Sequence, residues 1–342
     1  MVGEPYDCRN SKSKTVIDEP ELNILRACWH PVARSDAIND RPVGVQLLGK
    51  SLVVFRSKGN AVVAHDRCPH RGGPLSLGTY EHDGLACPYH GLRFGEDGHC
   101  TQFPSRPNAR LSKRLKLDLV RSQERHGLIW ACLNNDNVTT LPNWEMFDRT
   151  DVQKFQTDPV RWNVCASRIA ENFNDIVHFS TIHATTFGSF EQPVSPQKIT
   201  ETNNGFASTI AVRQQYRNTF DGSVDEVLAN YNYDFVFPFS SQLTITYPDG
   251  EVECIQMGVM PESKASSLVF QQSARTNIGG DTIDSWRDFQ VAINEEDRII
   301  CEALQPRTVS FELNNTNEIP LPTDAFSIAY RKHWKALVRT TQ

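Results

Sequence analysis

Four side chains that bind metals strongly lie in two short loops between residues 68 and 90. Cys68 and His70 form Cys-x-His, and after sixteen intervening residues Cys87 and His90 form Cys-x-x-His. Thiolate and imidazole together suit zinc or an iron–sulfur centre. A zinc ribbon usually pairs Cys with Cys and His with His, whereas each loop here supplies one of each. The pattern therefore predicts a two-iron, two-sulfide cluster in which two histidines replace two cysteines on one iron, with a structural zinc site as the alternative.

A second candidate site lies in the stretch "ENFNDIVHFSTIH", residues 171–183. It contains Asp175, His178 and His183, and we expect Asp175 to share a helix face with His178 three residues later. The two histidines are about 140° apart around an ideal helix, so a helix must bend or end between them. Two histidines and one carboxylate form the facial triad of non-haem Fe(II) oxygenases, which leaves coordination positions open. A packed, hydrogen-bonded histidine pair without a metal is the alternative for this motif taken alone.

The third ligand of such a triad should be a carboxylate distant in sequence. The run "WRDFQVAINEEDRIICEALQP", residues 286–306, offers several. Its apolar positions form a stripe at helical spacing: Phe289, Ile293, Ile300 and Leu304. Glu295 points away from this stripe, whereas Glu296 and Asp297 flank it on opposite sides. Periodicity therefore leaves the choice of carboxylate open.

The first metal site must be positioned by β-structure. Alternating apolar residues and short turns predict four strands, at 43–48, 52–56, 61–65 and 127–133. The first 130-odd residues therefore form a small all-β domain from which the Cys/His loops project. The turn-rich stretch 134–144 makes a boundary to the next domain.

The second half of the chain mixes helices and strands. Residues 167–183, 285–304 and 324–338 are helix-like, and a β-rich middle includes "NYNYDFVFPF" and "SQLTITY". The predicted class is therefore α+β. The expected division is a flexible arm at 1–22, the all-β domain at 23–140 and the catalytic domain at 141–342.

Composition excludes several classes of protein. The chain has 342 residues and a net charge of −6, so no basic footprint for nucleic acid is visible. No apolar run reaches the length of a membrane span, and the polar N-terminus lacks the apolar middle of a signal peptide. Nine scattered cysteines, an odd number, argue against a secreted disulfide framework and favour a reducing cytoplasm.

From about Leu25 to Trp334 the chain resembles the terminal oxygenase (alpha) subunit of Rieske non-haem iron oxygenases. The resemblance is carried by both metal motifs and by "CWHPV", "RHGLIW" and "EEDRIICEALQP". It favours the compact branch with the dicamba and methylxanthine demethylases and the saxitoxin-pathway hydroxylases. Rieske proteins of respiratory complexes carry further loop cysteines, which residues 71–74 and 88–89 lack.

This resemblance implies a Rieske [2Fe-2S] domain, a helix-grip catalytic domain with a mononuclear non-haem Fe(II), and a head-to-tail homotrimer. It assigns Cys68, His70, Cys87 and His90 to the cluster. It assigns His178, His183 and Asp297 to the mononuclear iron. In the resembling family the residue at Asp175 is an electron relay to a Rieske histidine of the neighbouring subunit, here His90 by motif position.

The implied reaction is monooxygenation of a small aromatic or heterocyclic compound with O2, as hydroxylation or oxidative O- or N-demethylation. No G-x-G-x-x-G occurs, so electrons should come from a separate reductase of the flavin or ferredoxin type, ultimately from NAD(P)H. A cis-dihydroxylating ring dioxygenase is the second candidate, and a Rieske electron carrier without oxygenase activity is the alternative of another class. The sequence identifies no substrate-binding residues, because each aromatic side chain of the catalytic half also suits an ordinary core.

Overall fold

The computed structural model describes residues 17–81, 84–134, 139–184, 186, 196–217, 224–277, 281–311 and 318–340. The α-helices in these ranges are α1 (Glu19–Arg26), α2 (Glu145–Asp148), α3 (Ala166–Phe173), α4 (Phe179–Ile182), α5 (Ile283–Ala303) and α6 (Ala325–Thr340). The strands of the first half are β1 (His30–Arg34), β2 (Val43–Leu47), β3 (Lys50–Ser57), β4 (Asn60–His65), β5 (Thr79–Glu81), β6 (Gly84–Ala86), β7 (Arg93–Phe94), β8 (Cys100–Gln102), β9 (Leu119–Arg125) and β10 (Leu128–Cys132). The strands of the second half are β11 (Gln153–Gln156), β12 (Val160–Trp162), β13 (Lys198–Thr202), β14 (Gly205–Arg217), β15 (Val224–Val236), β16 (Ser240–Thr246), β17 (Val252–Ser263) and β18 (Ser266–Arg275). None of the helices in the described ranges is long and apolar enough to cross a membrane.

The first half of the chain is built from two antiparallel sheets. A six-stranded sheet has the order β1-β10-β9-β4-β3-β2, and a four-stranded sheet has the order β5-β6-β7-β8. One Cys/His loop follows β4, and the other connects β6 to β7. The four strands predicted from alternation correspond to β2, β3, β4 and β10, so that prediction is confirmed.

The second half is a long antiparallel sheet covered by helices. Its strand order is β11-β18-β17-β16-β15-β14-β13, with β12 also paired to β18. Helices α3, α5 and α6 pack against strands of this sheet. Helices packed on a long antiparallel sheet confirm the α+β class and create a covered face on which a site can form.

The two halves share one hydrophobic core, in which large aromatic side chains dominate. Trp130 of β10 and Trp144 meet edge to face, with ring centroids 5.4 Å apart, and both are almost fully buried. Strand β17 approaches β1 closely because position 258 is a glycine. A Cβ there would lie 2.9 Å from Pro31 Cγ and 3.3 Å from Trp144 Cη2. The packing of the first half on the catalytic sheet therefore requires glycine, which has no side chain, at position 258.

The helix expected over 167–183, with a bend or an end between His178 and His183, is interrupted before His178 instead. Helix α3 ends at Phe173, and the four-residue α4 begins at Phe179, so Asp175 lies in the turn between them and shares no helix face with His178. The histidines flank α4 rather than a helix break. The cause is local side-chain bonding to the backbone, since Asp175 Oδ1 accepts the Val177 N–H and Asn174 Nδ2 donates to the Ala170 carbonyl.

The apolar stripe expected on the helix at 286–306 is mostly exposed rather than buried. Phe289 is 43 % exposed and Leu304 is 40 % exposed, whereas the buried positions of α5 are Trp286, Gln290 and Cys301. The buried positions therefore lie outside the expected stripe, and Glu296 and Asp297 of the same helix reach His183 of the second metal site. Apolar periodicity alone therefore selected the wrong face.

The flexible arm expected at 1–22 differs from the structure in its last part. Residues 1–16 lie outside the described residues, and α1 already begins at Glu19. Ile17 and Leu22 are buried in the main core, so apolar contacts anchor this segment before residue 23.

Candidate metal centres

The two Cys/His loops have the same backbone design. In each loop the cysteine carbonyl accepts a hydrogen bond from a glycine N–H, at 2.8 Å from Gly72 to Cys68 and at 3.0 Å from Gly91 to Cys87. Both glycines have φ near +70°, at +74° for Gly72 and +68° for Gly91, a conformation that favours a residue without Cβ. Tight turns of this kind direct the side chains of both loops toward one point. A Cβ added at Gly73 would lie 3.8 Å from Cys87 Sγ, which shows how closely the loops approach.

The four side chains of this site differ in how deeply they are buried. Cys68 and Cys87 are buried, whereas His70 is exposed and His90 is half-buried, with the two imidazole centroids 4.6 Å apart. Burial raises the pKa of the Cys68 thiol to about 11, because an apolar pocket disfavours a bare thiolate. A cationic centre beside the sulfur would remove that penalty. Two inner thiolates and two outer imidazoles fit a two-iron, two-sulfide cluster with a distinct ligand pair on each iron.

The structure brings His178, His183 and Asp297 together, although Asp297 follows His183 by 114 positions in sequence. Their candidate ligand atoms all lie within 4.8 Å of one another. Asp297 Oδ1 is 3.4 Å from His178 Nε2 and 3.2 Å from His183 Nε2. His178 Nε2 is buried without a hydrogen-bond partner of acceptable geometry in the described chain. A buried nitrogen with an open lone-pair direction, beside a second imidazole and a carboxylate, fits a mononuclear iron.

The charges of this triad are strongly coupled. Burial alone would raise the pKa of Asp297, but its contacts with His178 and His183 outweigh burial and hold the pKa at about 2. Burial alone would lower the pKa of His178, but Asp175 and Asp297 outweigh it and raise the pKa to about 9. The site therefore holds a carboxylate that attracts positive charge, which a divalent cation can supply in place of a proton.

Each histidine of the triad contacts a second carboxylate through its Nδ1 atom. Glu296 Oε2 lies 2.7 Å from His183 Nδ1, and Asp175 Oδ2 lies 3.3 Å from His178 Nδ1. A carboxylate at Nδ1 favours the tautomer that carries its proton there, which leaves Nε2 free for a metal. The spacing argument had left Glu296 open as a ligand, and the structure places it behind a histidine instead.

Three contributors to this site were missed by sequence reasoning. Thr186 donates its hydroxyl proton to Glu296 Oε1 at 2.6 Å, and Asn172 Nδ2 donates to Asp297 Oδ1 at 3.2 Å. The hydroxyl of Tyr233 is buried without a hydrogen-bond partner in the described chain. The only available signal was that Asn172 and Thr186 flank the histidine motif, because Tyr233 lies on a distant strand.

Two family descriptions match the chain. Residues 28–121 match the Rieske [2Fe-2S] domain, and residues 162–340 match the vanillate O-demethylase oxygenase C-terminal domain. The first range contains both Cys/His loops, and the second contains the His178, His183 and Asp297 triad.

Similar proteins are found along nearly the whole chain. The methylxanthine N3-demethylase NdmB of Pseudomonas putida is 29 % identical over 335 residues, which cover 93 % of this chain and 90 % of that protein. The methylxanthine N1-demethylase NdmA of the same species is 28 % identical over 338 residues, with coverage of 93 % and 90 %. The structure of NdmA from Pseudomonas putida CBB5 with caffeine superposes with a TM-score of 0.80 at 26 % identity, covering 94 % of this chain and 96 % of that one. Dicamba monooxygenase bound to dicamba shares the fold, with a TM-score of 0.77 at 19 % identity and coverage of 92 % and 98 %.

Proposed function

This chain belongs to the Rieske oxygenases with a vanillate O-demethylase oxygenase C-terminal domain, and on that premise we propose that it monooxygenates a small aromatic or heterocyclic compound. The reaction is hydroxylation or oxidative O- or N-demethylation. The observation that carries the proposal is the histidine–histidine–carboxylate cluster in the same chain as the Rieske loops. An electron carrier without oxygenase activity is not retained, because more than half of the chain matches an oxygenase domain.

We assign the ligands of the two metal groups by chemistry. Cys68 and Cys87 would hold one iron of the cluster, and His70 and His90 would hold the other. We propose that the ligands of the mononuclear iron are His178, His183 and Asp297. When bound, the cluster supplies single electrons and the mononuclear iron supplies the site of O2 chemistry. Three protein ligands would leave coordination positions open for O2.

The residues around the triad would hold these ligands in place. Glu296 and Thr186 fix the ring of His183, and Asn172 orients the Asp297 carboxylate by donating to its Oδ1. The short helix α4 sets the separation of the two histidines by standing between them. Phe179 of α4 and Ile176 before it are buried in an apolar cluster, which would limit the access of water from this side of the site.

We further propose that Asp175 relays electrons between subunits. Its side chain is 41 % exposed and contacts His178 Nδ1, so it can contact a second chain while touching the iron site. His90 lies half-buried at the tip of the Rieske loops, beside the exposed Tyr89. A head-to-tail homotrimer, in which the Rieske tip of one subunit approaches Asp175 of the next, would join these groups.

A separate reductase is the expected partner. Several relatives are named as one part of a system, including the 5,5'-dehydrodivanillate O-demethylase oxygenase subunit and the oxygenase component of a chloroacetanilide N-alkylformylase. We propose a partner of the flavin or ferredoxin type that takes electrons from NAD(P)H. The cytoplasm, with its reducing conditions, is the proposed location.

Reconstitution tests the function directly. The protein would be combined with a Rieske-oxygenase reductase and NADH, and offered methylated aromatics and N-heterocycles under air. We expect formaldehyde or a hydroxylated product from at least one compound, and three irons with two sulfides per chain. His178→Ala, with its cluster intact, is the matched inactive control. A cis-dihydrodiol product would favour the dioxygenase, and two irons per chain in fully loaded protein would contradict the oxygenase assignment.

A further inference from the structure

A strongly basic segment runs over the surface of the first half of the chain, between β8 and β9. Residues 103–117, which we call the basic segment, contain five basic side chains and no acidic one, in a chain where 41 acidic residues outnumber 35 basic ones. All five basic side chains are exposed: Arg106, Arg110, Lys113, Arg114 and Lys116. The local charge is therefore opposite in sign to the net charge of −6, and it creates a positive field on this surface.

The positive charge of the basic segment is not neutralised within the described residues. None of its five cations forms an ion pair with a carboxylate there. Asp118, the next acidic residue along the chain, lies 3.7 Å from His65 Nε2 instead. Like charges that follow one another in sequence repel, and such runs are typical of surfaces that bind a partner of opposite charge.

The backbone of the basic segment is ordered by its apolar residues. Phe103 and Leu115 pack against the buried cluster that contains Cys68 and Cys87. The carbonyl of Leu115 also accepts a hydrogen bond from the Cys100 N–H at 2.9 Å. The exposed cations therefore project from a fixed frame, so a partner that binds them does not have to order a loose tail first.

The basic segment lies beside the second Cys/His loop. Gly91 directly follows His90, and a Cβ added at Gly91 would lie 3.5 Å from Pro104 Cγ, at the start of the segment. The first Cys/His loop adds two more exposed cations, Arg67 and Arg71. Positive charge therefore borders both loops that carry the proposed cluster ligands.

A partner for this surface has to be negatively charged and able to deliver one electron. A ferredoxin with a plant-type [2Fe-2S] centre has a lower reduction potential than a Rieske cluster. One electron can therefore leave the reduced ferredoxin, which becomes oxidised, and reduce the cluster of this chain. The tip of the Rieske loops, with Tyr89 and His90, is needed for contact with Asp175 in the proposed trimer. The flank that carries the basic segment is then the side that an electron donor can approach.

We propose that the basic segment is the docking surface for a ferredoxin-type electron donor with an acidic face. The inference rests on the proposed function, which requires an external donor. In the complex Arg110, Lys113 and Arg114 face carboxylates of the donor and hold its iron–sulfur centre near the second Cys/His loop. Attraction of this kind acts mainly on the rate of association, which it increases about 10–1000-fold at low ionic strength.

Equilibrium binding tests the surface without turnover. A plant-type [2Fe-2S] ferredoxin of acidic pI, oxidised and labelled with a fluorophore, would be titrated with oxidised holoenzyme while its anisotropy is followed. Titrations at about 20 mM and about 500 mM ionic strength separate charge from other contacts, because salt screens exposed charges. We expect binding at low salt that weakens about tenfold or more at high salt. The double variant Arg110→Glu with Lys113→Glu should weaken the low-salt binding about tenfold or more.

Cluster reduction provides a second measurement. Reduced ferredoxin would be mixed anaerobically with oxidised holoenzyme in a stopped-flow instrument, and the second-order rate constant followed by the cluster absorbance. This constant should fall about tenfold or more in the double variant at low salt, and the difference from wild type should shrink at high salt. Dithionite, which needs no docking surface, should reduce every variant completely, and this verifies that the clusters are loaded.

The control variant is Lys332→Glu with Arg339→Glu, which reverses one lysine and one arginine at exposed positions of α6. It changes the net charge equally and should behave as wild type. The inference is overturned if the ferredoxin does not bind wild type at low salt, if salt leaves the binding unchanged, or if the Arg110→Glu and Lys113→Glu double variant matches the control.

Light scattering identifies another occupant of this surface. If the double variant alone lost its oligomeric state, the basic segment would join copies of this chain, and the inference would be overturned. Failure of the proposed function has a different result. Intact docking, with no product from any compound in a single turnover of dithionite-reduced enzyme with O2, would contradict the oxygenase reaction and leave the docking surface supported.

Discussion

Three consecutive carboxylates on α5 should affect mononuclear iron binding in a fixed order. Asp297 contacts both histidines of the triad, and Glu296 contacts one of them through Nδ1. Glu295 points outward and pairs with Arg298 at 2.5 Å. The series Asp297→Asn, Glu296→Gln and Glu295→Gln changes each carboxylate to its amide without changing side-chain size.

The expected magnitudes follow from these contacts. Replacing an outer partner of a metal-bound histidine costs about 10–100-fold in metal affinity, or about 1.4–2.7 kcal/mol, and Glu296→Gln belongs in this range. Asp297→Asn removes a ligand and should cost more than 100-fold. Glu295→Gln should leave the affinity unchanged, because an exposed ion pair contributes little.

Metal titration measures this order. The mononuclear iron would be removed by a mild chelator, and Co(II) would be added back while its visible bands are followed anaerobically. The cluster absorbance should stay constant in all three variants, since the contacts described for these carboxylates are with the triad histidines, their neighbours and Arg298. The reasoning fails if Glu296→Gln costs as much as Asp297→Asn, or no more than Glu295→Gln. If Glu296→Gln abolished binding while Asp297→Asn preserved it, Glu296 would be the ligand.

Four further predictions concern the cluster, the relay, the domain contact and pH. Cys87→Ser should lose the visible cluster absorbance and all turnover, because a hydroxyl does not replace a thiolate on ferric iron, and retained colour would remove Cys87 from the ligands. Asp175→Asn should keep both metals and the oligomeric state but slow cluster reoxidation in a single turnover with substrate and O2; unchanged reoxidation would contradict the relay. Gly258→Ala should lower stability by about 1–3 kcal/mol in thermal melts, because the new methyl group meets Pro31 Cγ at 2.9 Å, and an unchanged melting temperature would contradict the tight contact. Burial raises the pKa of Glu21 from 4.5 to about 7. Between these two pH values the folded chain keeps a proton that the unfolded chain releases, so the stability of the wild-type protein falls as the pH rises through this range. Glu21→Gln should therefore gain roughly 2–3 kcal/mol above pH 7, measured by thermal melts, and this gain should shrink as the pH falls toward 4.5; a gain independent of pH would contradict the shift.

The Cys/His loops were predictable because their geometry is encoded locally. Each ligand pair lies within four residues, and the glycines that turn the backbone are adjacent to the ligands in sequence. The expected strands β2, β3, β4 and β10 were equally local, because alternation and turn residues define them. In these regions the information that specifies the structure lies within a short window of sequence.

The triad was only half predictable for the opposite reason. His178 and His183 could be recognised by their spacing, but no pattern distinguished Asp297 from Glu296 until the family resemblance was used. The choice depends on how α5 is rotated against the sheet. That rotation turns Asp297 toward the histidines and leaves Phe289 and Leu304 exposed, contrary to the usual rule that the apolar stripe of a helix faces the core.

The orientation of α5 follows from contacts that its apolar stripe does not make. Trp286 and Cys301 are the apolar side chains of α5 that are buried, and neither belongs to the expected stripe. Asp297 contacts both histidines of the triad, and Glu296 contacts His183 through Nδ1. Trp286 adds an edge-to-face contact with Phe155, so one aromatic side chain and two carboxylates position this helix. Because these contacts join residues that are far apart in sequence, they leave no periodic pattern, and apolar spacing could not predict the orientation of α5.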